Sequence, residues 1–265
     1  MGTSKALLEW HGSTLLRRVG GIVGRAVDGP VICVRAPRQE LPRLPQRFEV
    51  VDDEEVGRGP LGGIAVGLAA LAGRSEVAYV SSTDVPMLHP AFVRRVVAEV
   101  NDDLDVCVPY VRGFRQPLAA AYRVELAARV QKLLDADRLR PSFLLEECRW
   151  SKLDERRILS DPDVARCDPG LDSVTNLNEP SDYEAARARP APEVVVERFG
   201  VLRSPGESGT TRVRAATLGE AAQASATPLT EDIVAALNGD QISKDPEEPV
   251  VEGDVISFMS ADAGG

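Results

Sequence analysis

The sequence predicts an α/β fold in two parts: a mainly parallel sheet with helices over residues 1–190, then a small α+β unit over 193–265. Three observations carry this. Short apolar runs alternate with stretches of helical period between residues 14 and 148, the pattern of βαβ units. The tract RARPAP at 187–192 is a stiff Pro/Ala linker, after which the order becomes strand, strand, helix, short strands. Charge divides unevenly too. The net charge is −10, and residues 193–265 hold five Lys/Arg against thirteen Asp/Glu. The last quarter thus carries almost all the excess and is expected to dock on a basic partner.

Taken in order, residues 14–26 alternate at helical spacing and stop at the Asp28-Gly29-Pro30 breaker. VICV at 31–34 and FEVV at 48–51 read as short buried strands, the second ending at Asp52-Asp53. Gly59-Pro60-Leu61-Gly62-Gly63 reads as a tight loop leading into a helix over 64–72. A third strand over 77–82 runs into Thr83-Asp84-Val85-Pro86, and His89-Pro90 opens the next helix with proline in its favoured first-turn place. Strands near 105–110 and 116–122 are followed by helices near 124–135 and 141–148. Ser181-Asp182-Tyr183-Glu184 reads as a capping box for a last helix. Beyond the linker, strands open at Val194 and Thr211, Thr217-Leu218-Gly219-Glu220 caps a helix, and Asn238-Gly239 marks a hairpin. A last strand covers 255–258, and the whole order fits a β-grasp fold.

Composition narrows the function. Hydrophobic residues are 43% of the chain and aromatics 5%, enough for an aliphatic core. The negative charge argues against a nucleic-acid binder held by phosphate contacts. Cys33, Cys107, Cys148 and Cys167 show no metal-ligand or redox spacing and read as buried free thiols. There is no signal-like segment and no membrane-length apolar run, so a cytoplasmic protein is expected.

Open α/β sheets bind ligands at the carboxyl ends of their strands, and Asp84 follows such an end. A carboxylate there can hold Mg²⁺ against a nucleotide's phosphates; equally, it can cap the turn before proline. Asp52 ends the preceding strand and reads either as a nucleoside contact or as part of a solvated acidic loop. Gly59 to Gly63 can let backbone N–H groups approach a base, or be just a tight loop entering a helix. Lys5 can neutralise phosphates, or be one more exposed lysine. Asn176 and Asn178 alternate along an extended segment and so face one way, toward a ligand or as turn chemistry before Pro180. His11 and His89 have no partner pattern and read as structural.

Together, MG-TS-KALLEWHG, D-x₆-GPLGGI, TDVPML, RQPLAAAYR and N-L-N-EPSDYEAA in this order resemble the molybdenum cofactor guanylyltransferase family, the MobA-like NTP transferases, over about residues 1–190. The resemblance implies a Rossmann-like sheet and transfer of a nucleoside monophosphate, most simply GMP from GTP, to molybdopterin with release of pyrophosphate. It implies that Lys5 contacts the NTP phosphates, Asp52 the nucleoside, and Gly59, Pro60, Leu61, Gly62 and Gly63 the base. Asp84 would bind Mg²⁺, and Gln116, Pro117, Leu118, Asn176 and Asn178 would face the acceptor. The family's opening reads like L-A-G-G-x-S-x-R-M-G-x-x-K, of which this chain supplies MG-TS-K. A strand, a glycine loop and an arginine are therefore expected upstream in the natural protein, and weak NTP binding from this form. CTP as the donor, another phosphorylated acceptor, and a non-catalytic scaffold are the alternatives.

N-G-D-Q-I-S, then E-G-D-V-I-S-F, then seven residues ending in Gly264-Gly265 resemble the MoaD/ThiS sulfur-carrier family over about 193–265. That resemblance implies adenylation by an E1-like enzyme, a thiocarboxylate on the last glycine, and delivery of sulfur to the large subunit of molybdopterin synthase. Nothing points to a nucleic-acid or membrane partner.

Overall fold

Thr14 accepts a hydrogen bond from the Arg17 N–H and so opens α1 (Leu15–Gly24) in the computed structural model, which describes residues 4–53, 55, 57–203 and 209–260. β1 (Val31–Arg35) and β2 (Phe48–Asp52) follow as a parallel pair with Val31 opposite Phe48. Then come α2 (Gly59–Ala70), β3 (Val77–Ser81) and α3 (Pro90–Val97). β4 (Val106–Val111), β5 (Phe114–Arg115) and β6 (Ala119–Arg123) lead to α4 (Ala127–Asp135), α5 (Pro141–Leu145) and β7 (Trp150–Asp154). α6 (Glu155–Ile158), α7 (Pro162–Cys167) and α8 (Pro180–Arg187) complete this part.

Where one mainly parallel sheet is expected, the described residues of the first part hold a short antiparallel ribbon, Glu9–Trp10 with Ser13–Thr14, and two further sheets. β2–β1 stands by itself, and a second sheet runs β3–β6–β4–β5, with β7 added parallel to β4. β6 is antiparallel to both β3 and β4. The segment 112–118 is too short for a crossover helix, and Arg112 and Gly113, both at positive φ, reverse the chain. Ile22, Phe92, Val93 and Val96 pack one side of this part; Leu61, Leu68, Tyr122 and Leu144 pack the other.

Two helix starts differ from the sequence reading. Gly59 to Gly63 is not a loop before a helix but the opening of α2 itself, because Pro60 fits the first turn. Likewise α8 begins at Pro180, so its capping box is Glu179 with Asp182 rather than Ser181 with Glu184. β7 has no counterpart in the sequence reading, since only Leu153 of its five residues is buried.

β8 (Glu193–Arg198), β9 (Thr210–Arg214), α9 (Leu218–Ala224), β10 (Ile233–Leu237), β11 (Gln241–Ser243) and β12 (Val255–Ser260) form the second part. Its sheet order is β9–β8–β12–β10–β11, with β8 and β12 parallel at the centre and every other pair antiparallel. Leu218, Ala221 and Ala222 of α9 cover Val194, Val196 and Phe258. Asn238 and Gly239 both take positive φ in the β10–β11 turn.

The two parts meet along α1. Arg17 pairs with Asp245 and Glu247, Arg25 with Asp254, and Arg47 with Glu248. The acidic excess of the second part is thus met partly by arginines of its own chain. Gly21 leaves the space that Pro249 fills: a Cβ there would stand 2.6 Å from the proline ring.

His89 sits at the same junction. Its Nε2 lies 3.1 Å from the Glu252 carbonyl, which can only accept, so Nε2 carries the proton. Nδ1 is then free to accept from the Ala91 N–H and cap α3. Burial holds the imidazole below its usual pKa. A lowered folded value means stability is full above the unfolded value of about 6.5 and falls as pH drops toward the folded one. The melting temperature is expected to decline below about pH 6.5, and His89→Asn, which keeps a capping side chain, should flatten that slope. An unchanged slope in the variant would remove His89 from the account.

All four cysteines are free. Cys33 and Cys107 are buried as expected, whereas Cys148 and Cys167 are only partly so. Burial pushes the thiols of Cys33 and Cys148 up to about 11 and that of Cys107 to about 12, which keeps them protonated. Among the described residues no helix is long and apolar enough to cross a membrane.

Candidate functional site

β3 ends at Ser81, and the turn Ser82-Thr83-Asp84 leaves its carboxyl end. Lys5, in a short 3₁₀ turn (Lys5–Leu7), reaches across and donates to Asp84 Oδ2 at 2.7 Å. The pair is 34% and 15% exposed, open enough for a ligand to enter. The other carboxylate oxygen, Asp84 Oδ1, is buried and has no hydrogen-bond partner. A buried oxygen of this kind is an offer to a cation or a donor from outside.

Asp84 is also an anchor through its backbone. Its carbonyl accepts from the Leu177 N–H at 2.9 Å, and Leu177 is buried against Trp10 and Leu15. That plug turns the residues on either side, Asn176 and Asn178, to the exposed face, and Ser82 Oγ donates to Asn176 Oδ1 at 3.4 Å. The 116–118 segment lies alongside: Ser82 N–H donates to the Leu118 carbonyl, and Tyr122 Oη to the Pro117 carbonyl. Gln116 N–H is held by the Pro109 carbonyl. Lys5, Asp84, Asn176 and the 116–118 segment, named from sequence, therefore converge, and Asn178 stands on the same exposed face.

Two further residues shape this group. Ser82 links the strand end to Asn176, and its place beside Asp84 was the available signal. Arg112 bonds Thr175 Oγ1 at 2.8 Å, the Gly170 carbonyl at 3.0 Å and Asp172 Oδ1 at 3.1 Å, fixing the loop ahead of Asn176. As one arginine in a turn it carries no sequence signal.

The opening of α2 forms a second wall. Pro60 and Gly63 line the same cavity as Gln39, Ser82, Thr83 and Leu118. A Cβ on Gly63 would meet nothing within 4 Å, so its small size leaves open space rather than serving packing. Gly59 enters the helix at φ +61°, where glycine is favoured. Leu61 is buried in the core, and a Cβ on Gly62 would come 2.7 Å from Arg58 Cβ, so these two serve packing.

Asp52 stands apart from the Asp84 group. It makes a two-pronged pair with Arg35, at 2.6 and 2.9 Å, which holds its carboxyl below the usual range. The carboxylate turned to the first turn of α2 is Asp53, whose Oδ2 lies 3.5 Å from where a Gly62 Cβ would be. Strand alternation explains the exchange, since neighbours at a strand end face opposite ways.

Mg²⁺ in phosphate-binding sites often takes one or two carboxylates and draws its other oxygens from phosphates and water. Asp84 with its free buried oxygen fits that need, and no group of three or more His, Cys, Asp or Glu suited to a metal occurs among the described residues. Gly264 and Gly265 lie outside the described residues.

Residues 1–150 match the model of the MobA-like NTP transferase domain. The chain is 36% identical over 150 residues to a probable molybdenum cofactor guanylyltransferase of Mycobacterium tuberculosis, covering 55% of this chain and 73% of that one. It is 28% identical over 187 residues to the molybdenum cofactor guanylyltransferase of Desulfosudis oleivorans, covering 71% and 87%. In fold it is similar to the crystal structure of molybdopterin-guanine dinucleotide biosynthesis protein A from Archaeoglobus fulgidus, with TM-score 0.54, 19% identity, and 70% and 90% of the two chains covered. Through a match that spans more than half its length, the chain belongs to the MobA-like NTP transferases and is an enzyme of the nucleotidyltransferase kind.

Proposed function

We propose that residues 1–190 transfer GMP from GTP to the terminal phosphate of molybdopterin in molybdenum cofactor biosynthesis. The observation that carries this reading is the Lys5–Asp84 pair with its orphaned carboxylate oxygen, set at a strand's carboxyl end beside Asn176. The names borne by the relatives favour this acceptor and base. A phosphate oxygen of the acceptor attacks the α-phosphorus in line, the bond to the β-phosphate oxygen breaks, and pyrophosphate leaves. The nucleophile is already anionic, so no general base is needed, and positioning with charge neutralisation supplies the rate. Lys5 swings from Asp84 to the phosphates and neutralises them. Asp84 would hold Mg²⁺, which would supply further neutralisation of the phosphate charge. The α2 opening, with Pro60 and Gly63, receives the nucleoside, and Asp53 joins Asp52 as a candidate for its polar edge. Gln116, Pro117, Asn176 and Asn178 face the acceptor.

Residues 193–265 are read as a β-grasp sulfur carrier working in the same cytoplasmic pathway. The support is the strand order with parallel β8 and β12 at the centre, one covering helix, and the Gly264-Gly265 pair in the sequence. Its partners would be an E1-like adenylating enzyme and the molybdopterin synthase large subunit.

The test is Mg²⁺-dependent product formation from GTP and molybdopterin, followed by mass spectrometry, on this chain and on an N-terminally extended one. Guanylylated product supports the proposal, product with CTP alone reassigns the base, and no product from either folded protein overturns the catalytic reading. For the second part, deletion of Gly264-Gly265 should abolish the oxygen-to-sulfur mass gain produced with an adenylating enzyme and a sulfur donor. A gain that survives the deletion refutes the carrier assignment.

A further inference from the structure

Arg18 of α1 is only 5% exposed, and its guanidinium donates to backbone carbonyls of both parts. Nε donates to the Pro86 carbonyl in the first part. Nη1 donates to the Ala216 carbonyl at 2.9 Å and to the Val250 carbonyl at 3.5 Å, both in the second part. Pro86 lies just past Asp84, in the segment that leads into α3. One buried cation thus joins the loop bearing Asp84 to the other half of the molecule.

The same segment meets the second part again at its far end, where His89 Nε2 reaches the Glu252 carbonyl. Its near end is held within the first part, by Ser82 N–H on the Leu118 carbonyl and by Leu177 N–H on the Asp84 carbonyl. Proline has no N–H, so the carbonyl that Arg18 grips is the one backbone group by which Pro86 can be held. α1 braces the opposite side of the site as well. Leu15, its first residue, donates to the Leu8 carbonyl at 2.9 Å, at the end of the turn that carries Lys5. Both members of the Lys5–Asp84 pair are therefore referred to α1, and α1 is where the second part docks.

A guanidinium is a rigid plane, so its bonded nitrogens cannot move independently of one another. Drawing Ala216 and Val250 away would leave Nη1 buried without acceptors, and turning the side chain to water relieves that cost only by releasing Pro86. We propose that Arg18 is a positioning residue for Asp84, and that docking of the second part sets the 84–89 segment through it. With the second part seated, the segment holds the Asp84 carboxylate at the end of β3, facing Lys5. With the second part displaced, the segment loosens and the carboxylate loses its fixed place. A shift of about 1 Å in a catalytic group can cost on the order of 10²-fold in rate. The second part is then a brace for the nucleotidyltransferase site, apart from any carrier role of its own. The consequence for transfer rests on the reading of Asp84 given above; the mechanical coupling does not.

The full chain is compared with Arg18→Met, Arg18→Lys and Gly21→Leu, the last a wedge where even a Cβ would stand 2.6 Å from the Pro249 ring. Leucine forms helix better than glycine, so the wedge presses on the second part without weakening α1. Amide exchange is read by mass spectrometry over residues 83–89, with β4 as the reference, well below the melting midpoint. Mn²⁺ affinity of the nucleotide-free protein is read by water-proton relaxation. Arg18→Met should speed exchange over 83–89 by roughly fivefold or more with β4 unchanged, and weaken Mn²⁺ binding by a similar factor. The wedge should act in the same direction, and should add less than about twofold on top of Arg18→Met, since both cut one linkage. Arg18→Lys keeps the charge but not the planar fork and should fall between the parent and Arg18→Met. Loop amides in Arg18→Met that exchange as in the parent, or that quicken only together with β4, would overturn the proposal. So would a wedge that quickens 245–254 but not 83–89. If Arg18→Met does not fold, Arg18→Lys against the parent decides in its place. Coupled exchange in a parent that binds no Mn²⁺ would strike the metal reading of Asp84 and leave the coupling standing.

Discussion

Replacing Lys5 with methionine is expected to tighten Mn²⁺ binding to the nucleotide-free protein while lowering nucleotidyl transfer by roughly 10²–10³-fold in the form that turns over. The Lys5 ammonium holds Asp84 at 2.7 Å, and on the proposed role it would compete with a divalent ion for the same carboxylate. Removing it releases that carboxylate, whose second oxygen is already without a partner. In the proposed transfer the same ammonium would be needed at the phosphates, where charge stabilisation in a water-poor site is worth several kcal/mol. Asp84→Asn should lower both quantities. The opposite movement of the two Mn²⁺ affinities, measured by water-proton relaxation, separates this role from a structural ion pair. A partly exposed pair of that sort contributes about 0–1 kcal/mol to stability, and its loss would leave Mn²⁺ binding and turnover moving together or not at all.

How much of this was legible beforehand depends on what each signal encodes. The runs VICV, FEVV and the 77–82 strand could be placed because an uninterrupted apolar stretch bounded by turn residues has few other uses. Asp84 is legible at a strand's carboxyl end, whereas Lys5, 79 positions away, joins the same site only through the family resemblance, and the ion pair between them carries no sequence signal. The direction of β6 could not be read: AAAYR is mostly buried, and a strand buried on both faces looks the same parallel or antiparallel. β7 hid because WSKLD offers a single buried side chain. The Asp52/Asp53 exchange turned on one residue of register at a strand end, which fixes the face each side chain takes. Net charge located an acidic second part but not its partner, because arginines on a helix such as Arg17, Arg18 and Arg25 carry no signal of what they pair with.

Asp254→Ala is the substitution expected to cost the most stability, about 3–5 kcal/mol, because it strands a buried charge at the junction of the two parts. Arg25 Nη2 meets Asp254 Oδ1 at 2.6 Å, with the side chains only 5% and 4% exposed. Asp254 also accepts from the Val251 N–H and from Asn238 Nδ2, so its carboxylate organises the turn into β12 as well. Arg18 lies close by, fully buried, and burial together with the Arg25 charge pulls its pKa down to about 10, while Asp254 and Glu220 oppose that pull. Without Asp254, two arginines would share a dry site with one fewer anion. For a chain of this size the loss corresponds to a melting temperature lower by on the order of 10 °C. Amides of residues 245–254 should exchange faster than the core of β4, as the second part loosens from α1. The double replacement Arg25→Met with Asp254→Leu should recover much of the loss, since a buried pair costs more to break than to replace with apolar side chains. Arg212→Ala, which breaks the exposed pair with Glu193, should move the midpoint by about 1 kcal/mol or less. A midpoint for Asp254→Ala as small as that of Arg212→Ala would mean that water reaches Arg25 and that the junction is not closed in solution.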